Sequence, residues 1–174
     1  GSAAFIGGYL ELMQQCEAAG IAPTHVYAAT GTGGTLAGLV AGHQALEAGP
    51  EIVGVAVSRK DEGYEGRCAA LANASLAWLG SDVRVTADDF TVDRGYFEPG
   101  YEQPNEAANE AIRLLARTEG LLTDPVYTGK ALAGLLDHIR TGKICSGETV
   151  VFWHTGGATA LFAEQAILGN LADK

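Results

Sequence analysis

Basic side chains are scarce in this sequence. Eleven lysines and arginines stand against 21 aspartates and glutamates, a formal net charge of −10 at pH 7 over 174 residues. A nucleic acid or another polyanion needs a clustered Lys/Arg footprint. The scattered cations exclude that class of partner and leave a small molecule as the expected one. Cysteine is equally thin: Cys16, Cys68 and Cys145 are odd in number, far apart, and form neither a CxxC pair nor a Cys/His metal spacing. They read as reduced thiols packed as buried filler, which argues against a disulfide framework and a metal site. Long apolar runs are missing too. No stretch approaches the roughly 20 residues of a membrane span, and the N-terminus lacks the basic and apolar regions of a secretion signal. The expectation is a soluble, cytoplasmic protein with no membrane partner, in which the Asn73-Ala74-Ser75 sequon is a chance match. No internal repeat, linker or low-complexity segment stands out.

What is present is material for a core. With 47% apolar residues in 174, the chain fits one domain or a large piece of one. Apolar strands alternate with helical stretches, the pattern of a parallel, Rossmann-like α/β sheet with helices on both faces. Helices are expected near Tyr9 to Ala19, from Gly34 to about Ala48, from about Glu62 to Leu79, from near Pro104 to Gly120, from Gly129 to Thr141 and over about Ala158 to Leu168. Strands are expected at Thr24 to Ala29, at the β-branched run Glu51 to Ser58, at Leu121 to Thr123 and at Thr149 to Trp153, with a short extended piece at Asp82 to Thr86. The irregular stretch from Ala87 to Gln103 is long enough to suspect function.

Three motifs follow strands. Thr30-Gly31-Thr32-Gly33-Gly34-Thr35 lies between a strand and a helix, where backbone N–H groups converge on an anion and glycine lets the backbone approach it closely. No Gly-Lys-Ser/Thr follows, and Leu36 stands where a dinucleotide fingerprint wants its last glycine. The loop therefore indicates a phosphate without saying which. Asp124-Pro125-Val126-Tyr127-Thr128-Gly129-Lys130 and His154-Thr155-Gly156-Gly157 should share its rim, because ligands of parallel sheets bind at the carboxyl ends of strands. His154 reads as a structurally satisfied histidine rather than a ligand.

These motifs, in this order, resemble the D-cysteine desulfhydrase and 1-aminocyclopropane-1-carboxylate deaminase family of pyridoxal-phosphate enzymes. Val57-Ser58-Arg59, Pro99-Gly100-Tyr101, and the segments EGLLTDPVYTGKALAGL and HTGGATALFA carry the likeness over nearly the whole chain. The resemblance implies the large-domain part of a fold type II, tryptophan synthase β-like enzyme, with pyridoxal 5′-phosphate as cofactor and a small amino acid as substrate. It implies that Gly31, Thr32, Gly33, Gly34 and Thr35 hold the cofactor phosphate, that Thr155 lies near the pyridine nitrogen, and that Tyr101 and Tyr127 face the substrate as catalytic residues.

The resemblance covers what would be the C-terminal half of such an enzyme. Residues 1–174 then form the C-terminal part of the large cofactor-binding domain, and the Schiff-base lysine is expected on an N-terminal companion segment that precedes a smaller domain. Among Lys60, Lys130, Lys143 and Lys174, Lys130 alone is expected near the rim, at a position the family does not use for covalent attachment. A homo-oligomer, with two copies paired across an exposed surface, is also expected. The deaminase branch carries glutamate directly after the DPVY tyrosine, where this chain has Thr128. That difference favours α,β-elimination on a D-cysteine-like amino acid, giving pyruvate, ammonia and sulfide, over cyclopropane ring opening, with a cysteate sulfo-lyase as a further alternative. Two other classes stay open. A nucleotide-binding module would want an acidic residue where the second strand ends in Ser58-Arg59, and a catalytically silent phosphate-binding subunit would need no lysine.

Overall fold

In a computed structural model the described residues are 1–103 and 105–163. The elements, in order, are α1 (Ser2–Ala19), β1 (His25–Thr30), α2 (Gly34–Leu46), β2 (Glu51–Ala56), α3 (Tyr64–Trp78), β3 (Thr91–Asp93), α4 (Glu106–Glu119), α5 (Thr128–Arg140), β4 (Val150–Trp153) and the short α6 (Ala160–Ala163). A single 3-10 turn, Ala87–Asp89, precedes β3. The four strands form one sheet in the order β3-β2-β1-β4, every pair parallel.

Burial explains the strands. From its second residue on, β1 is fully buried, and so is β2; this is the condition of a parallel sheet covered on both sides. On one face, Val26, Ala28 and Ile52 pack with Leu36 and Val40 of α2, Cys68 and Leu76 of α3, and Ile6 and Tyr9 of α1. On the other, Tyr27, Val53 and Val55 meet Ala111 of α4 and Leu132 and Leu135 of α5. Helix α2 is apolar all round and buried without a break from Leu36 to Gly42, as a helix wedged between a sheet and other helices must be. Its contact with α1 depends on a missing side chain: a Cβ at Gly38 would fall 2.5 Å from Phe5 Cβ and collide with the Ser2 carbonyl.

Several expected boundaries move. Helix α1 starts at Ser2 rather than near Tyr9. It runs through Gly7-Gly8, because Gly8 leaves room for the Trp153 ring, which a Cβ there would meet at 3.3 Å. The extended piece at Asp82 to Thr86 is not a strand; the Asn73 side chain accepts from Val85 N and donates to Val85 O at 3.0 and 2.8 Å, taking the bonds a ladder would use. The third strand lies instead at Thr91–Asp93, inside the stretch read as irregular. Leu121 to Thr123 is not a strand either, since the Leu122 carbonyl is met by His154 Nε2 at 2.8 Å and both leucines are exposed. Helix α4 begins and ends on local signals: Asn105 caps it by accepting from Ala108 N at 2.8 Å, and Gly120 closes it in the left-handed region at φ 68°. Of the last expected helix, Ala160–Ala163 is seen; Pro104 and residues 164–168 lie outside the described residues. Cys16 and Cys68 are buried free thiols, but Cys145 is exposed and so is not core filler. Among the described residues no helix is long and apolar enough to cross a membrane.

Candidate functional site

The strand order places the site. From β1 the chain steps outward to β2 and β3 through α2 and α3 on one face of the sheet, then returns through α4 and α5 on the other face to lay β4 on the far side of β1. The connections diverge between β1 and β4, and at the carboxyl ends of strands such a divergence opens a crevice. A cavity of about 910 Å³ opens there. It is lined by Gly31 to Thr35 after β1, Ser58 after β2, Thr155 after β4, and Tyr101 and Tyr127 from the intervening loops.

The glycine loop is built from beneath. Gly33 takes φ 96°, and a Cβ on it would fall 2.5 Å from Cys68 Sγ, so both backbone and packing require glycine. Tyr64 of α3 holds Thr30 through an OH···Oγ1 bond of 2.6 Å. No side chain caps α2, and the first intrahelical N–H there belongs to Ala37, which donates to Gly33 O. The N–H groups of Gly34, Thr35 and Leu36 are thus left for something outside the helix, and the helix dipole favours an anion.

Opposite the loop, two segments interlock. Asp124 accepts from Val126 N, Tyr127 N and Thr128 N at 2.9, 2.7 and 2.8 Å and from Thr128 Oγ1 at 2.6 Å, fixing the turn that starts α5. Gly157 packs on this carboxylate; a Cβ there would lie 2.6 Å from Asp124 Oδ1. The DPVYT turn and the HTGG turn therefore set each other's position. His154 serves the same frame, since its Nδ1 accepts from Gly156 N, which leaves the proton on Nε2 for the Leu122 carbonyl. Tyr127 points its phenol to the hydroxyl of Tyr101, with the rings edge to face at 5.9 Å. The bond to Tyr127, and then desolvation, push the Tyr101 phenol up to about 12.

All the residues singled out from sequence, Gly31 to Thr35, Tyr101, Tyr127 and Thr155, thus line one cavity. The lysines reverse their expected places. Lys130 is fully buried, its ammonium donating to the carbonyls of Phe97 and Gly100 at 3.2 and 2.7 Å. Burial lowers its pKa. Lys60, not expected near the rim, instead donates to Gly31 O at 2.7 Å and to Ser58 Oγ at 2.8 Å. Its position two residues beyond Ser58, four past the end of β2, hinted at nearness to the loop but not that its ammonium turns back to Gly31. Among the described residues no cluster of His, Cys, Asp and Glu could hold a metal ion.

Comparison with known proteins agrees with this geometry. The family described as pyridoxal-phosphate dependent enzyme matches residues 2–156. D-cysteine desulfhydrases of Salmonella typhi and Salmonella newport are each 43% identical over 163 residues, covering 94% of this chain and 48% of their own length. The chain therefore spans about half the length of these relatives. A crystal structure of an ACC deaminase homologue superposes with a TM-score of 0.79 at 30% identity over 96% of this chain and 50% of the other. A fungal L-serine ammonia-lyase from Rhizomucor miehei shares the fold, with a TM-score of 0.57 at 19% identity over 93% of this chain and 55% of its own. The residues present fit the cofactor: the cavity volume is within the usual range of roughly 300–1,000 Å³ for small-molecule sites, and one wall is an uncapped helix N-terminus with a left-handed glycine. By its match from residue 2 to residue 156, with a glycine loop and an uncapped helix N-terminus at the divergence of its sheet, this chain belongs to the pyridoxal-phosphate dependent enzymes.

Proposed function

We propose that the chain forms the C-terminal part of the large domain of a pyridoxal-phosphate lyase acting on a D-cysteine-like amino acid, which with water yields pyruvate, ammonia and sulfide. The observation that carries this reading is the hydrogen-bonded Tyr101–Tyr127 pair facing the glycine loop across one cavity. The desulfhydrase names of the 43% identical relatives support it. When bound, the cofactor supplies an electron-withdrawing ring that accepts the charge left as the α-proton departs.

The protein's part is to bind, orient and move protons. The N–H groups of Gly31 to Thr35 and the Thr hydroxyls would hold the phosphate, and the Thr155 hydroxyl would serve the pyridine nitrogen. With its phenol held up to about 12, Tyr101 stays protonated near neutrality and, in this reading, is the donor of the bond it shares with Tyr127 Oη. The Tyr127 proton is then free for the departing sulfur, a transfer of the kind that contributes roughly 10²–10⁴-fold. The residue after Tyr127 is Thr128, which brings no carboxylate and donates its hydroxyl to Asp124; this supports elimination of a thiol over ring opening.

The lysine that binds the cofactor covalently lies, in this reading, on a companion segment. Lys130 and Lys60 are tied to backbone carbonyls, and Lys143 bonds His138 in a separate cavity with His25 and Asp93. The test is borohydride reduction of the cofactor-loaded enzyme with its companion segment present, with peptide mapping alongside a D-cysteine assay for pyruvate and sulfide. Turnover with no stoichiometric adduct on Lys60, Lys130 or Lys143 is the expected result. An adduct on any of the three, or the absence of turnover, overturns the reading.

A further inference from the structure

The cations around the glycine loop are not equivalent. Arg67 pairs with Asp61 at 3.0 Å and Arg59 with Glu98 at 4.0 Å. Lys60, half-buried, has no carboxylate partner among the described residues; its ammonium is fixed by Gly31 O, Ser58 Oγ and the face of Tyr64, whose centroid is 4.9 Å away. Even a half-buried cation without an anion loses part of its hydration unless something completes it. Two acceptors and a ring face meet part of that need.

The geometry of the peptide bond shows what Lys60 does to the loop. Among the described residues the one cis bond is Glu98-Pro99, so the Gly31–Thr32 peptide is trans and planar, and its N–H points opposite to its C=O. The Gly31 carbonyl points at Lys60, which lines with Arg59, Asp61 and Arg67 a second, smaller cavity that shares Gly31 and Thr32 with the main one, whereas Lys60 does not line the main one. Thr32 N–H has no acceptor among the described residues. We propose that Lys60 is a positioning residue for phosphate recognition: by holding the Gly31 carbonyl outward it turns the Thr32 N–H into the main cavity as an anion donor. The cation also polarises that peptide, since hydrogen bonds in series reinforce one another, and it places an uncompensated positive charge one peptide unit behind the anion.

The proposal rests on the cofactor-binding reading above, and the test separates the two. Equilibrium binding of pyridoxal phosphate and of pyridoxal, which lacks the phosphate, is measured by absorbance on the protein and on its Lys60→Met variant. The wild type should favour pyridoxal phosphate. The variant should lose about tenfold or more of its affinity for pyridoxal phosphate, as expected when a charge-assisted contact of about 1.5–3 kcal/mol is removed, and less than about twofold of its affinity for pyridoxal. A variant that keeps the wild-type preference overturns the role of Lys60 alone, whereas a wild type with no preference overturns the phosphate site and the role of Lys60 with it. Should the variant fail to fold, amide NMR on the wild type decides. Inorganic phosphate should shift the Thr32 N–H along with those of Gly34 and Thr35, and a Thr32 signal that stays still while the other two move refutes the proposal.

Discussion

At the scale of single residues, the site is a set of donors whose directions are fixed by groups that never touch the ligand cavity. Asp124 sets Tyr127 by accepting its N–H, and Lys130 sets Tyr101 by holding the carbonyl of Gly100 just before it. Replacing Tyr127 by Phe removes one hydroxyl and leaves this frame intact. Turnover should then fall by about 100-fold or more while the dissociation constant for pyridoxal phosphate changes less than about threefold, as expected when a proton-transfer group is lost. Steady-state kinetics with a cofactor titration checks this; parallel losses in both would mark Tyr127 as packing. Gly31 to Thr35 and Thr155 were legible from sequence because each sits in a short motif directly after a strand, whereas Tyr101 and Tyr127 were picked out by the family resemblance of their motifs. The residues behind them were not. Lys130 lies within a motif, yet nothing in the letters says that its ammonium turns inward to two carbonyls 30 and 33 residues earlier. Nor does the charged turn after β2 announce that Lys60 reaches back to Gly31.

At the scale of elements, the contact of α1 with α2 governs how the glycine loop is presented, because α2 begins at Gly34 and is gripped at Gly38. Gly38→Val places branched carbon where the Ser2 carbonyl and Phe5 Cβ already sit, so α1 must move. Overpacking of this kind costs roughly 1–3 kcal/mol, and the melting temperature should drop by several degrees; an unchanged value would show that α1 gives way freely. The same contact responds to acid. His43 on α2 bonds the Tyr9 hydroxyl of α1 at 3.1 Å, and burial, opposed by Asp89, lowers its pKa below 6.5. Above pH 6.5 the imidazole is neutral in both folded and unfolded chains. As the pH falls below 6.5 the unfolded chain takes up the proton first, so the fold loses stability until the lower folded pKa is passed. Thermal melts should show that loss in the wild type and a shallower one in His43→Gln; identical slopes would assign the acid response to other groups. Elements with burial or caps of their own, such as β1, β2 and α4, were legible. Leu121 to Thr123 was misread as a strand because the His154 side chain satisfies its backbone from a distance; the extended piece at Asp82 to Thr86 joins no ladder because Asn73 takes its backbone bonds.

At the scale of the whole molecule, alternating strands and helices announced a parallel sheet but not its order. That order follows from a connection no local pattern encodes: β4 pairs with β1 rather than with β3. The consequence is one of time. Bringing Thr149 and Val150 beside Thr24 and His25 spans 125 residues, so loop-closure entropy must be met before those strands reward it. During synthesis the glycine loop, α2 and α3 can assemble long before β4 has left the ribosome, and the wall that carries Thr155 arrives last. Trp153, in β4 and stacked edge-on against Phe5 at 6.4 Å, is a natural reporter of that closing step. In stopped-flow refolding its fluorescence should lag the far-ultraviolet circular dichroism of the helices, and coincident traces would mean that the first and last strands find each other as early as neighbours do.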